Sequence, residues 1–161
     1  PACPEPEPLA MSTPIWKKNL SCEELNRTQA GTLGGHIGIE FIEIGDDHIR
    51  ARMPVDERTF QPMGILHGGA SVVLAETIGS VASFLCIEGT AKAAVGLEVN
   101  ANHLRPATGG WVYGRCTPIH VGRTTHVWQI ELSDEQGRRT CVSRLTMAVI
   151  DRPPQWRRPP D

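Results

Sequence analysis

Gln61-Pro62-Met63-Gly64-Ile65-Leu66-His67-Gly68-Gly69-Ala70-Ser71-Val72-Val73-Leu74-Ala75-Glu76-Thr77-Ile78-Gly79-Ser80 is the stretch whose reading decides the fold. It opens as a loop and passes into a run, Gly69 to about Cys86, that is almost wholly apolar or small and contains no proline. The run is too long for an ordinary strand, so it predicts a helix. A helix apolar on every side is normally buried on every side, which makes this one the expected core. One carboxylate, Glu76, interrupts it, with Ser80 a turn further along the same face. A carboxylate in an apolar setting costs several kcal/mol unless it is paired or kept for chemistry. The pair Gly68-Gly69 stands at the helix start, where free backbone N–H groups can hold an oxyanion or a polarised carbonyl. The stretch thus offers a candidate acid–base group and a candidate electrophilic cradle.

Outward from the helix, the pattern is that of strands. His36 to Ile44 is apolar-rich, Asp46-Asp47 makes a turn, and His48 to Met53 alternates apolar and polar residues, which predicts a hairpin with one wet face. After the helix, expected to end near Gly89, four further strands are predicted over Ala94–His103, Trp111–His120, Thr124–Asp134 and Arg139–Ile150, with a turn at Glu135-Gln136-Gly137. Ser21 and Glu24 form a capping box for a short helix reaching about Ala30, ended by Gly31 to Gly35. Residues 1–14, rich in proline and glutamate, read as a disordered leader, with Met11 a possible natural start. Residues 15–151 read as one domain and 152–161 as a loose tail that Pro153 and Pro154 keep from extending the last strand. An antiparallel sheet curled around one long central helix, an α+β arrangement, accommodates every pattern.

Composition narrows the function. The chain has 161 residues, enough for one domain with a real core, and a formal net charge of −2. That balance gives no global attraction to nucleic acid or to an anionic membrane, so an anionic ligand must be met by local basic groups. Five scattered cysteines without a Cys-x-x-Cys pair read as reduced thiols of a cytoplasmic protein, with no metal site. No basic region precedes an apolar run at the N-terminus, so neither export nor anchoring is expected.

The run His67 to Glu76, preceded by Gln61 and followed by Ser80, resembles the signature of the hotdog-fold acyl-CoA thioesterases, in the branch that acts on aryl-CoA. Within that branch it is most similar to bacterial thioesterases that hydrolyse 1,4-dihydroxy-2-naphthoyl-CoA and to those that proofread enterobactin assembly. Gly96 to His103 and His120 to Arg123 are also similar, and the resemblance covers about residues 15–150. It implies that Glu76 is the nucleophile or the general base, that Gly68 supplies a backbone donor to the thioester oxygen, and that Gln61 adds an amide donor or orients water. It implies further that His67 assists positioning and that Ser80 bonds the water or the carboxylate. Gly96, His103, Leu104, Arg105 and Pro106, with the segment His120, Val121, Gly122, Arg123, Thr124 and Thr125, would line the path of the acyl-CoA. Taken alone, Glu76 could instead be a buried glutamate paired with arginine, His67 a histidine ordering its loop, and Ser80 a hydroxyl capping its own helix. Ser71 and Ser83 lack a base at a recognisable spacing, which argues against a serine triad. Burial of Glu76 would raise its pKa.

Geometry adds an inference of its own. Gly68 and Glu76 are eight residues apart, roughly 12 Å along a helix rising 1.5 Å per residue. Oxyanion donor and attacking group must both lie about 3 Å from the reacting atoms. One helix cannot supply both to one substrate, so the site is expected to be shared between the subunits of a homodimer. The resemblance implies that such dimers pair into tetramers, and that no cofactor is needed beyond the coenzyme A carried by the substrate. A medium-chain or phenylacetyl-CoA thioesterase, or a silent acyl-CoA-binding module of the same fold, is the alternative.

Overall fold

The structure, a computed structural model, describes residues 13–156. Most of the expected leader and half of the expected tail lie outside those residues. The first helix, α1 (Cys22–Gln29), begins at the capping box: the Ser21 hydroxyl accepts from the Glu24 N–H while the Glu24 carboxylate accepts from the Ser21 N–H. A second short helix, α2 (Leu33–His36), follows where the sequence suggested only a break. Thr32 caps it by accepting from the Gly35 N–H, and Gly38, at a φ of 76° that glycine adopts readily, then turns the chain. The first strand, β1 (Glu40–Ile44), is therefore shorter than the expected His36–Ile44.

Then come β2 (Ile49–Pro54), α3 (Gly68–Leu85), β3 (Lys92–His103), β4 (Trp111–Val121), β5 (Thr125–Asp134) and β6 (Arg139–Asp151). The long helix starts one residue earlier than expected, because His67 acts as its N-cap, and stops at Leu85 rather than near Gly89. All six strands form one antiparallel sheet in the order β1-β2-β4-β5-β6-β3. Gly137, at φ 73°, closes the predicted β5–β6 turn, where the Asp134 side chain accepts from the N–H groups of Gln136 and Arg138.

The sheet wraps one side of α3. Leu74, Ala75, Ile78, Ala82 and Leu85 are buried there with Val112 and Cys116 of β4, Trp128, Ile130 and Leu132 of β5, and Leu145 and Met147 of β6. Each fully buried Leu or Ile contributes about 1.5–3 kcal/mol, so this seam holds the fold. Glycines allow the helix to sit close: a Cβ at Gly79 would stand 2.5 Å from Leu145, and one at Gly114 2.5 Å from Ile78. The other side of α3 departs from expectation. Glu76 and Phe84 are exposed, and Val73, Thr77, Ser80 and Val81 are only half-buried, because one sheet covers one side of a helix. β3 is an edge strand of 12 residues that pairs only with β6 and exposes Leu97 to 64%. A long open edge invites pairing with another strand.

Although α3 has the length and hydropathy of a membrane span, it is the helix that fills this sheet. Cys22, Cys86, Cys116 and Cys141 are free thiols, and burial pushes Cys86 up to about 11 and Cys116 further, so neither is a thiolate at neutral pH.

Trp128 ties three layers together. Its ring is fully buried, stacks on Trp16 at 6.3 Å, and donates from Nε1 to the Ser83 hydroxyl of α3 at 2.7 Å. Trp128→Phe is expected to lower the unfolding free energy by about 1–3 kcal/mol, through loss of that bond and of ring volume. In a Ser83→Ala background the same substitution should cost less. Equal losses in urea titrations of both backgrounds would show that the bond adds nothing.

Candidate active site

The loop before α3 is held at several points: the His67 N–H donates to the Thr59 carbonyl at 2.8 Å, Leu66 N–H to Ala107 and Gln61 N–H to Ile65. The Gln61 side-chain oxygen accepts from the Met63 N–H at 2.7 Å, which leaves its amide nitrogen to donate elsewhere. His67 Nδ1 accepts from the Gly69 N–H at 2.8 Å, a capping bond that places the ring proton on Nε2. Gly68 is then the first residue of the helix, with an N–H that the helix itself does not use. The His103 ring, at the end of β3, lies against it: a Cβ on Gly68 would be 2.8 Å from Nε2. Gln61, Leu66, Gly68, Ser71, His103 and Arg105 line a depression of about 460 Å³.

Glu76 and Ser80 lie elsewhere, along a second depression of about 490 Å³ bordered by Gln29, Leu33, Val73 and Thr77. The Glu76 carboxylate sits over Gly96 of β3, where a Cβ would be 2.9 Å from Oε1. The expected burial of Glu76 is not supplied by the single chain, and neither is an arginine partner among the described ion pairs. Ser80 does not cap its own helix: its hydroxyl faces the Met147 sulfur at 3.9 Å. Gly96, under Glu76, and His103, beside Gly68, stand on β3 seven residues and roughly 23 Å apart at 3.3 Å per residue. Neither of these two depressions holds both Gly68 and Glu76.

A third group of expected residues forms the turn between β4 and β5. The His120 ring covers Gly122, the Gly122 N–H donates to the Thr125 carbonyl at 2.9 Å, and the Thr124 carbonyl accepts from Val149 at 2.9 Å. Arg123 at its tip is exposed, as is Arg105 beside the first depression.

Residues 63–141 match the family model described as the thioesterase superfamily. The chain is 57% identical over 136 residues to the 1,4-dihydroxy-2-naphthoyl-CoA hydrolase of Escherichia coli, covering 84% of this chain and 99% of the relative. It is 51% identical to a proofreading thioesterase of Cronobacter turicensis, over 84% of this chain and 98% of that one. A crystal structure of a Haemophilus influenzae thioesterase superposes with a TM-score of 0.83 at 52% identity, covering 85% of this chain and 95% of the other. The chain belongs to the thioesterase superfamily. It has the hotdog fold and is a thioester hydrolase.

Hydrolysis of a thioester needs a group that attacks or activates water, and donors that hold the negative charge developing on the carbonyl oxygen. The groups that could meet those requirements lie in different places: the exposed Glu76 carboxylate, and the Gly68 N–H at the helix start with the Gln61 amide. Ser71 lines the first depression and the buried Ser83 hydroxyl accepts from Trp128, and neither is paired with a histidine or carboxylate in the described hydrogen bonds, so no serine triad is formed.

Sequence reasoning missed the wall that α1 and α2 raise beside Glu76, made of Gln29, Thr32 and Leu33. Gly34 and Gly35 let α2 pack against the end of α1, since a Cβ at either would collide with Gln29, a closeness that no spacing in the sequence announces. Sequence reasoning weighed Ser71 only as a nucleophile, without placing it in the first depression, and missed Thr140 there. The Thr140 carbonyl accepts from the Leu104 and Arg105 N–H groups, a tertiary link that no local pattern announces.

Proposed function

We propose that this thioesterase hydrolyses acyl-CoA with an aromatic or hydroxyaromatic acyl group, of the kind represented by 1,4-dihydroxy-2-naphthoyl, in sites shared between two protomers. The separation of Gly68 and Glu76 into two depressions is the observation that carries the shared site. The open edge of β3 supports a dimer in which the two β3 strands pair, and two such dimers then associate. The acyl preference rests on the names of the relatives at 57% and 51% identity.

In each site the thioester oxygen accepts from the Gly68 N–H and the Gln61 amide of one protomer. Glu76 of the other attacks the carbonyl carbon, or takes a proton from the water that does. The C–S bond breaks, the coenzyme A thiolate leaves and is protonated, and the net change is thioester plus water to free acid plus thiol. His67 keeps its ring for the helix cap and thereby fixes Gly68, and Ser80 lies a turn from Glu76 to hold the water. No cofactor enters these steps, and the free thiols suit a cytoplasmic setting.

A panel of acyl-CoA substrates with detection of released thiol tests the reading. Aryl-CoA esters are expected to exceed hexanoyl-CoA in kcat/KM by at least about tenfold, a difference of roughly 1.4 kcal/mol in transition-state binding. Parity would hand the assignment to a medium-chain thioesterase. Phenylacetyl-CoA as the best substrate would move it to that acid.

A further inference from the structure

Glu76 acts on the carbonyl carbon of the thioester, or on the water that attacks it, so both substituents of that carbon start at the edge of the depression that holds Glu76. One substituent is the acyl group. The other is the sulfur, which leads through the pantetheine arm to phosphates, and phosphates are met by cations. None of the residues lining the Glu76 depression carries a positive charge, whereas Arg105 lines the one that holds Gly68. The Glu76 depression is therefore the side for the acyl group.

One flank of this depression is α3 itself, where Val73, Thr77 and Ser80 stand three and four residues apart on the face that carries Glu76. The opposite flank is α2, which presents Leu33. Leu33 is 61% exposed, and a single exposed leucine is ordinary on a protein surface. Its distinction is that an apolar side chain is held beside the reacting carboxylate by a turn with many fastenings. The Thr32 hydroxyl donates to the Gln29 carbonyl at 2.7 Å and the Thr32 N–H to the same oxygen at 3.0 Å. The Ile39 N–H donates to the Gly34 carbonyl at 2.9 Å, and Gly34 is buried with no side chain to keep Gln29 away. Behind this turn, Asn26 of α1 donates to the Phe41 carbonyl of β1 at 3.0 Å and accepts from the Phe41 N–H at 2.7 Å. Leu33 thus meets the depression from a bracket fixed to the sheet. We propose that Leu33 is a specificity-determining residue, whose side chain packs against the apolar body of the acyl group while Glu76 acts on the carbonyl carbon.

The inference rests on the acyl-CoA reading above, and the substrates separate the two. Leu33→Ala is expected to lower kcat/KM for the preferred aryl-CoA about tenfold and to leave that for acetyl-CoA, with one methyl beyond its carbonyl, within about twofold. Leu33→Met keeps the apolar bulk and should stay within about threefold of wild type on both. Alanine is the better helix former and Leu33 is exposed, so the Tm of Leu33→Ala should match wild type. An equal fall on both thioesters, no fall on the aryl-CoA, or a methionine variant as poor as the alanine one would each overturn the proposal. If Leu33→Ala does not fold, Leu33→Gln, of similar size but polar, decides alone: the selective loss supports the proposal and its absence ends it.

The other possible occupant of this flank is the partner protomer. Sedimentation equilibrium is expected to give Leu33→Ala the wild-type dimer dissociation constant, and a rise as large as the loss in kcat/KM would assign Leu33 to the interface instead. Should hexanoyl-CoA equal the aryl esters, the aryl preference fails while Leu33 is still decided, by whether alanine lowers hexanoyl-CoA turnover relative to acetyl-CoA. A wild type that hydrolyses no thioester would overturn the acyl-CoA hydrolysis reading itself. Calorimetric titration with benzoyl-CoA then decides Leu33: a Kd weakened about tenfold in Leu33→Ala supports the contact, and equal Kd removes it.

Discussion

Glu76→Gln is expected to lower kcat for an acyl-CoA by about 10²–10⁴-fold, the usual contribution of a general base or nucleophile, while KM moves little. Glutamine keeps the shape of the side chain and removes only its ability to attack or to accept a proton. Glu76 is exposed on α3 and forms none of the described ion pairs, so the exchange removes no packing contact on which the fold relies. Urea denaturation of the variant should match wild type, which isolates the loss to chemistry. Full retention of hydrolysis would make Glu76 structural and leave the mechanism without its carboxylate. A dead variant that still binds coenzyme A would separate chemistry from binding.

The sheet and the central helix were legible because each rests on a local rule. Period-two alternation over Ile49–Met53 marked β2, and a long apolar run without proline marked α3. The capping box at Ser21 and Glu24 could be read residue by residue. The errors fall where tertiary context decides. The single turn of α2 is too short to show a period, and only Thr32 as a cap announces it. The expectation that α3 is buried all round treated an apolar face as already covered, whereas the chain's own sheet covers one side and leaves Glu76 open. Composition shows that a face is apolar and cannot show which chain will cover it. Much the same holds for the candidate site: the resemblance named Gln61, Gly68, Glu76 and Ser80, counting residues along the helix led to the expectation that Gly68 and Glu76 are separated, and the structure sets them in two depressions. The α1–α2 wall of Gln29 and Leu33 could not be counted, because it is brought to Glu76 only by folding.

The division makes a second strong prediction, centred on a backbone hydrogen. Gly68→Pro deletes the N–H proposed to hold the thioester oxygen, yet it suits the local structure. Residue 68 is the first of α3, where proline is favoured because its missing donor would be unused by the helix. His67 before it has φ −67° and ψ 131°, the extended conformation that a following proline requires. The new ring must still displace His103, 2.8 Å from where a Cβ would stand, and Gly68→Ala meets the same obstacle while keeping the N–H. kcat of the proline variant is expected to fall about 10²–10³-fold below that of the alanine variant, the cost of one oxyanion donor. Equal rates for the two would remove Gly68 from the mechanism. If the donor and the carboxylate come from different protomers, two inactive proteins should repair each other. A dimer of one Glu76→Gln and one Gly68→Pro chain holds one site with both groups damaged and one with both intact. Unfolding and refolding an equal mixture should therefore recover roughly a quarter of wild-type activity, since half the dimers are mixed and half of their sites are whole. A site built within one chain predicts no recovery at all, so this mixing experiment decides between the two arrangements without a bound ligand.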